Sequence, residues 1–179
     1  YKFYILLFLV ILLPYGYFLH WIGGWNEASR LDLTYSMVER HSFNIDPYHE
    51  NTGDKALRQG RYYCDKAPGQ SFFAVPAYIL IKTAIKALRL PVSFNAPDSI
   101  TVFYLVTLFC VGVPSAFLGV VFYKFIGYFT EDKRFQLLVT LGYSLCTLAF
   151  PYSTLFIGHQ FAAVLVFSAF FLAFRMKQA

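Results

Sequence analysis

Apolar runs occupy both ends of the chain and enclose one polar, charged interval, Gly24 to Pro68. The first run, Phe3 to Ile22, is long enough as a helix to cross the roughly 30 Å hydrocarbon layer. Pro14 predicts a kink in it, and His20, Trp21 and Trp25 suit an interfacial belt. Lys2 before an Ile/Leu/Val run also resembles a signal peptide, but no small-residue cleavage site follows, so a retained anchor is expected. Most ionisable side chains gather in the polar interval, which places any chemistry there, at a membrane face.

Within that interval Asn26 fits an N-cap for a helix from about Glu27 to His41. Ala28, Leu31, Tyr35 and Val38 form its apolar face, with Asp32, Ser36, Glu39 and Arg40 on the polar side, so it is expected to lie at the interface. Asn44 to Gly60 reads as loop, with Asp46-Pro47 and Thr52-Gly53-Asp54 as turn signals. Gln70 to Leu90 loses its uncharged character at Ile81, and Lys82, Lys86 and Arg89 then share one face. This predicts an interfacial helix, with a break at Pro76.

Asp98 is placed to cap the next helix, Ser99 to about Tyr128, a span. A charged turn, Glu131 to Arg134, follows, and the apolar stretch Phe135 to Phe174 divides at Pro151 to Gln160 into two spans. If Gln70 to Leu90 does not cross, Lys124, Lys133, Arg134, Arg175 and Lys177 fall on the side of Lys2, as the positive-inside rule asks. The expected fold is all-α: a polytopic membrane protein of about four transmembrane helices plus interfacial amphipathic helices. It reads as one transmembrane domain over 1–179, with spans at 1–22, 99–128, 134–153 and 155–175 and an outer loop at 23–98.

Composition strengthens the membrane reading. Of 179 residues 58% are hydrophobic and 14% charged, against about a quarter charged in soluble domains. The net charge of +5 is scattered and forms no stripe along a helix, which excludes nucleic acid as a partner. Three cysteines, Cys64, Cys110 and Cys146, show neither a disulfide framework nor a zinc spacing. A chain that starts with Tyr1 inside an apolar run is expected to be part of a larger polytopic protein.

Glu27 and Arg30 stand one helical turn apart just beyond the first span. Such a carboxylate can serve as general base towards an acceptor hydroxyl or hold a divalent cation such as Mg or Mn, with Arg30 steadying it or binding an anion. The same spacing equally fits a first-turn Glu beside a surface Arg. Lys66, before Ala67-Pro68-Gly69, suits a phosphate partner or an interfacial lysine snorkelling from a turn. His159 follows Gly158 at a helix break. Asp46 and Asp54 read as turn residues. No Gly-rich phosphate loop, nucleophile elbow or HExxH motif occurs.

An apolar span, then Asn26-Glu27 with Arg30, a helix ending at His41-Ser42-Phe43, and Gly60-Arg61-Tyr62-Tyr63 before Lys66-Ala67-Pro68 resembles the N-terminal part of the GT-C membrane glycosyltransferases. The similarity is to the protein mannosyltransferase and lipid A aminoarabinose transferase branch, over about Trp21 to Pro76. It implies transfer of a sugar from a polyprenyl-phosphate carrier to a lipid, glycan or protein acceptor at the outer face of a prokaryotic plasma membrane. It also implies Glu27 as the acidic residue, Lys66 as the carrier-phosphate lysine, and Tyr62 and Tyr63 as stacking partners for sugar or lipid; Arg61 beside them and His159, outside the resemblance, are further candidate substrate or lipid-phosphate contacts. The pattern departs from the family where Asn26 replaces an Asp, Arg30 is offset by one residue, and Ala67 replaces a Pro. The alternatives are a polytopic transporter or lipid-linked-sugar flippase, which would carry charge near the midplane of its spans, and an inactive remnant.

Overall fold

A computed structural model describes residues 1–18, 23–92 and 99–178. The chain is predominantly helical, as expected, with one small hairpin. Its contacts gather into two compact units, 1–19 with 111–154 and 158–179, and 20–110 with 155–157.

The first unit is built from α1 (Lys2–Tyr17), α5 (Val113–Ile126), α6 (Lys133–Cys146), α7 (Ala149–Ser153) and α8 (Gly158–Gln178). α1 is apolar all round, which is how a helix reads when no side of it must face water. It runs through Pro14, which cannot donate to the carbonyl one turn back. Leu7, Ile11 and Tyr15 of α1 pack on Ala116, Val120 and Tyr123 of α5. Close approach depends on Gly119, where a Cβ would stand 2.5 Å from the Ile11 Cδ1 atom. The Tyr15 hydroxyl donates to the Ser144 carbonyl of α6 at 2.9 Å. The outward side chains, among them Ile5, Leu6, Leu13, Leu165, Val166 and Leu172, are exposed. So much contiguous apolar surface marks contact with lipid or protein. The last expected pair of spans is divided earlier than read: α6 stops at Cys146, Thr147 is extended, and α7 is a single short piece before α8.

The second unit holds α2 (Trp25–Glu39), a 3-10 turn (His49–Asn51), β1 (Lys55–Arg58), β2 (Arg61–Cys64), α3 (Gly69–Ala87) and α4 (Ile100–Thr107). Three expectations are corrected here. The cap of α2 is Gly24 rather than Asn26, and the helix begins at Trp25. Asp32 and Ser36 are buried rather than on a solvent side, because α3, the 3-10 turn and β2 cover α2 around most of its circumference. The stretch read as loop contains an antiparallel hairpin, Lys55 paired with Cys64 and Arg58 with Arg61. Its turn residues Gln59 and Gly60 both have positive φ (51° and 75°), the backbone a two-residue hairpin turn needs.

α3 is continuous through Pro76, where a break was expected. Its Tyr78 hydroxyl donates to Glu39 at 2.7 Å, and Lys82 pairs with the same carboxylate. Ser99 caps α4, its hydroxyl accepting from the Val102 N–H at 3.3 Å. The expected cap Asp98, and His20 and Trp21 of the expected belt, lie outside the described residues.

α4 leads through a π-helical turn, Leu108–Gly112, into α5. Pro114, which lacks an N–H and crowds the carbonyl one turn earlier, accounts for the widened turn. The helix Ile100–Ile126 and the helix Gly158–Gln178 are long and apolar enough to cross a membrane, at 27 and 21 residues. At 1.5 Å per residue these reach about 40 and 31 Å, enough for a hydrocarbon core of about 30 Å.

Candidate functional site

Unit two holds the candidate residues Glu27, Arg30, Arg61, Tyr62, Tyr63 and Lys66. The Gly23-Gly24 pair starts α2 and leaves room for its first turn, since a Cβ on Gly24 would lie 2.8 Å from the Glu27 Oε2 atom. Glu27 is buried in that turn, where the helix dipole favours a negative charge. One turn on, the Arg30 guanidinium donates through Nε to the Asn26 side chain at 2.9 Å and through Nη1 to the Ala67 carbonyl at 2.8 Å. The Arg30 carbonyl accepts from the Ser71 hydroxyl of α3 at 2.8 Å. Arg30 is thus bound at both ends, and it fastens the Lys66-Ala67-Pro68 segment to α2. Burial lowers its pKa, partly offset by the nearby Cys64, Asp65 and Glu27, which leaves a guanidinium charged at any physiological pH.

Lys66 follows the hairpin. Its backbone N–H donates to the Cys64 sulfur at 3.4 Å, which sets the turn out of β2. Its ammonium stands 3.0 Å from Asp54 and 3.3 Å from Asp65, and these carboxylates, Asp54 foremost, raise its pKa. The pairing of Asp54 with Lys66 links positions twelve apart in sequence, beyond any local spacing rule. Asp46 lies in the turn closed by the Tyr48 N–H on the Ile45 carbonyl at 2.8 Å, and its side chain reaches further, accepting from the Tyr62 N–H of β2 at 2.7 Å.

Lys66 stands at the rim of a pocket of about 230 Å³ with Leu33, Phe43, Tyr63, Cys64 and Phe72. Phe43 and Phe72, 6.0 Å apart, also line an apolar groove of about 370 Å³ with Met37, His41, Val75 and Pro76. The two spaces share Phe43 and Phe72, and Lys66, whose ammonium is paired with Asp54 and Asp65, is the one Lys, Arg, Asp or Glu among their described lining residues. Glu27 and Arg30 are not among the residues lining either space.

The hairpin's alternation separates the two tyrosines. Tyr63 lines the Lys66 pocket. The Tyr62 ring is stacked on His49 at 4.1 Å with Lys55 5.2 Å from its centroid, so one of its faces is already used. Arg61 is exposed at the turn end. His159 belongs to the first unit, at the start of α8, its ring edge-on to Tyr152 at 5.2 Å.

A buried acid stands out that sequence reading placed on the wetted side. Asp32 is 1% exposed; Oδ1 accepts from the Asn51 amide at 3.2 Å, and Oδ2 has no partner among the described residues. Burial raises its pKa to about 7, against the Asn51 hydrogen bond. Among the described residues no three His, Cys, Asp or Glu side chains gather as ligands for a metal ion.

Comparison of the chain with protein-family models, curated proteins and solved structures finds no match.

Proposed function

We propose that this chain is a multi-pass membrane glycosyltransferase that takes a sugar from a polyprenyl-phosphate carrier and passes it to a lipid, glycan or protein acceptor at the outer membrane face. The observation that carries the reading is Lys66 in a pocket that shares Phe43 and Phe72 with the neighbouring apolar groove. In this reading α1, the helix 100–126, α6 with α7, and α8 are four spans.

The carrier phosphate takes the place of Asp54 and Asp65 at the Lys66 ammonium. That exchange is mild, because the existing ion pairs are partly exposed and screened. An acceptor hydroxyl attacks the anomeric carbon. The bond from that carbon to the phosphate oxygen breaks, its electron pair leaves with the phosphate, and Glu27 takes the hydroxyl proton. Lys66 offsets the charge that builds on the leaving phosphate. Arg30 acts as a positioning residue that holds the Lys66 segment against α2.

The test is transfer by the full-length protein in nanodiscs, with radiolabelled polyprenyl-phosphate mannose or aminoarabinose as donor. Glu27→Gln should cut turnover about a hundredfold or more while carrier binding stays as in wild type. Undiminished transfer in both Glu27→Gln and Lys66→Ala would overturn the assignment.

A further inference from the structure

The first unit carries a separate basic recess that the proposed transfer does not use. The N-terminal end of α1, the C-terminal ends of α5 and α8 and the N-terminal end of α6 meet there. The recess, of about 380 Å³, is lined by Tyr4, Tyr123, Lys124, Lys133, Gln136 and Arg175, among others. This volume falls within the range of small-ligand sites.

Its three cations come from three helices. Lys124 and Arg175 lie in the last turns of α5 and α8, where the helix dipole favours positive charge. Lys133 is different: it opens α6, an end where the dipole disfavours a cation. Among the described residues its ammonium reaches only the Gln136 amide oxygen, at 3.5 Å. Among the described residues none of the three forms a salt bridge. The neighbouring Asp132 is occupied in capping α6, accepting from the Arg134 and Phe135 N–H groups, and Glu131 is exposed in the same turn. Three like charges around one recess repel each other unless an anion sits between them.

The aromatic lining argues against a quaternary ammonium as the guest. Lys124 already lies over the Tyr4 ring, 4.7 Å from its centroid, so that face offers no cation–π contact to a choline. Exposed Ile5, Leu6 and Phe170 on the helices that form the recess supply apolar surface for acyl chains. Basic recesses among apolar helices at a membrane face are suited to anionic headgroups.

We propose that Lys124, Lys133 and Arg175 form a site for the phosphate of an anionic phospholipid headgroup. The shared chemistry is a phosphate ester, and a soluble phosphate is the competing source.

The full chain in detergent is titrated with phosphatidylglycerol, with phosphatidylcholine and with inorganic phosphate, and retained ligand is read by native mass spectrometry. Wild type should retain phosphatidylglycerol at least about tenfold better than phosphatidylcholine. The Lys124→Gln/Lys133→Gln/Arg175→Gln triple variant should lose that preference. A matched triple variant, Lys2→Gln/Arg134→Gln/Lys177→Gln, removes equal charge from the same ends without touching the recess lining, and should keep it. Equal retention of the two lipids by wild type, or equal loss in both triple variants, would overturn the site. Inorganic phosphate saturating the protein at or below the lipid concentration would overturn the lipid as its ligand. The thermal unfolding of both triple variants is followed alongside to establish that they fold.

Discussion

At the scale of single residues, the second unit is defined by polar groups held inside it. Arg30 and Asp32 sit two positions apart on α2 and are treated in opposite ways. Arg30 has its hydrogen bonds to Asn26 and Ala67, while Asp32 has one bond to Asn51 and an oxygen without a partner among the described residues. The consequence for Asp32 can be signed. Its carboxyl ordinarily ionises at 3.8 and in the fold at about 7. Between those values the folded protein holds a proton that the unfolded chain has lost, so stability falls as pH rises from about 4 to about 7 and levels off above. Three units set an upper bound of about 4 kcal/mol on the effect. Asp32→Asn keeps an acceptor for Asn51 and removes the ionisation. Its unfolding midpoint should therefore exceed that of wild type at pH 8 and approach it near pH 4. Parallel pH curves for the two proteins would contradict this. The candidate residues Glu27, Arg30 and Lys66 are legible as residue types in a suggestive order. The Asp54 partner of Lys66 is not, because only the hairpin brings position 54 to position 66.

At the scale of elements, the helices are readable and their surroundings are not. The apolar runs give α1, the helix 100–126 and α8, but Pro151, expected in the break, lies inside α7, and Gly158 already opens α8. Periodicity in α2 separates an apolar from a polar face, but it carries no information on how many neighbours will cover the polar one. The hairpin escapes notice because Lys55-Ala56-Leu57-Arg58 lacks the β-branched residues that usually mark a strand. Pairing with Arg61–Cys64 makes it a strand, and the Gln59-Gly60 turn permits the pairing. Gly60 occupies a φ of 75° with nothing within 4 Å of where a Cβ would be, so a side chain there meets backbone strain alone. Gly60→Val should lower stability by about 1–2 kcal/mol and weaken carrier binding through Lys66. Gly60→Asn, a residue that tolerates this conformation, should recover both. If valine and asparagine behave alike in thermal unfolding, the turn does not position the site.

At the scale of the whole molecule, two helices among the described residues have the length and apolar character to cross a bilayer, and α1 adds an apolar surface with no polar side. The described charged residues lie at the ends of those helices, in the turn that opens α6 or in the second unit, the distribution expected when a membrane excludes charge from its core. A resemblance over about fifty residues suggests one chemistry for that arrangement, and the cleft beside Lys66 gives it a physical basis in this chain. The central claim is that the cleft binds a lipid phosphate. Its most direct test is a titration of the full-length protein in nanodiscs with polyprenyl phosphate, comparing wild type, Lys66→Ala and Asp54→Asn. Saturable binding is expected in wild type, at least about tenfold weaker in Lys66→Ala for loss of a charge-assisted contact, and tighter in Asp54→Asn, where the phosphate no longer displaces a carboxylate. Absence of saturable binding by folded wild type, or equal affinity in wild type and Lys66→Ala, would contradict it.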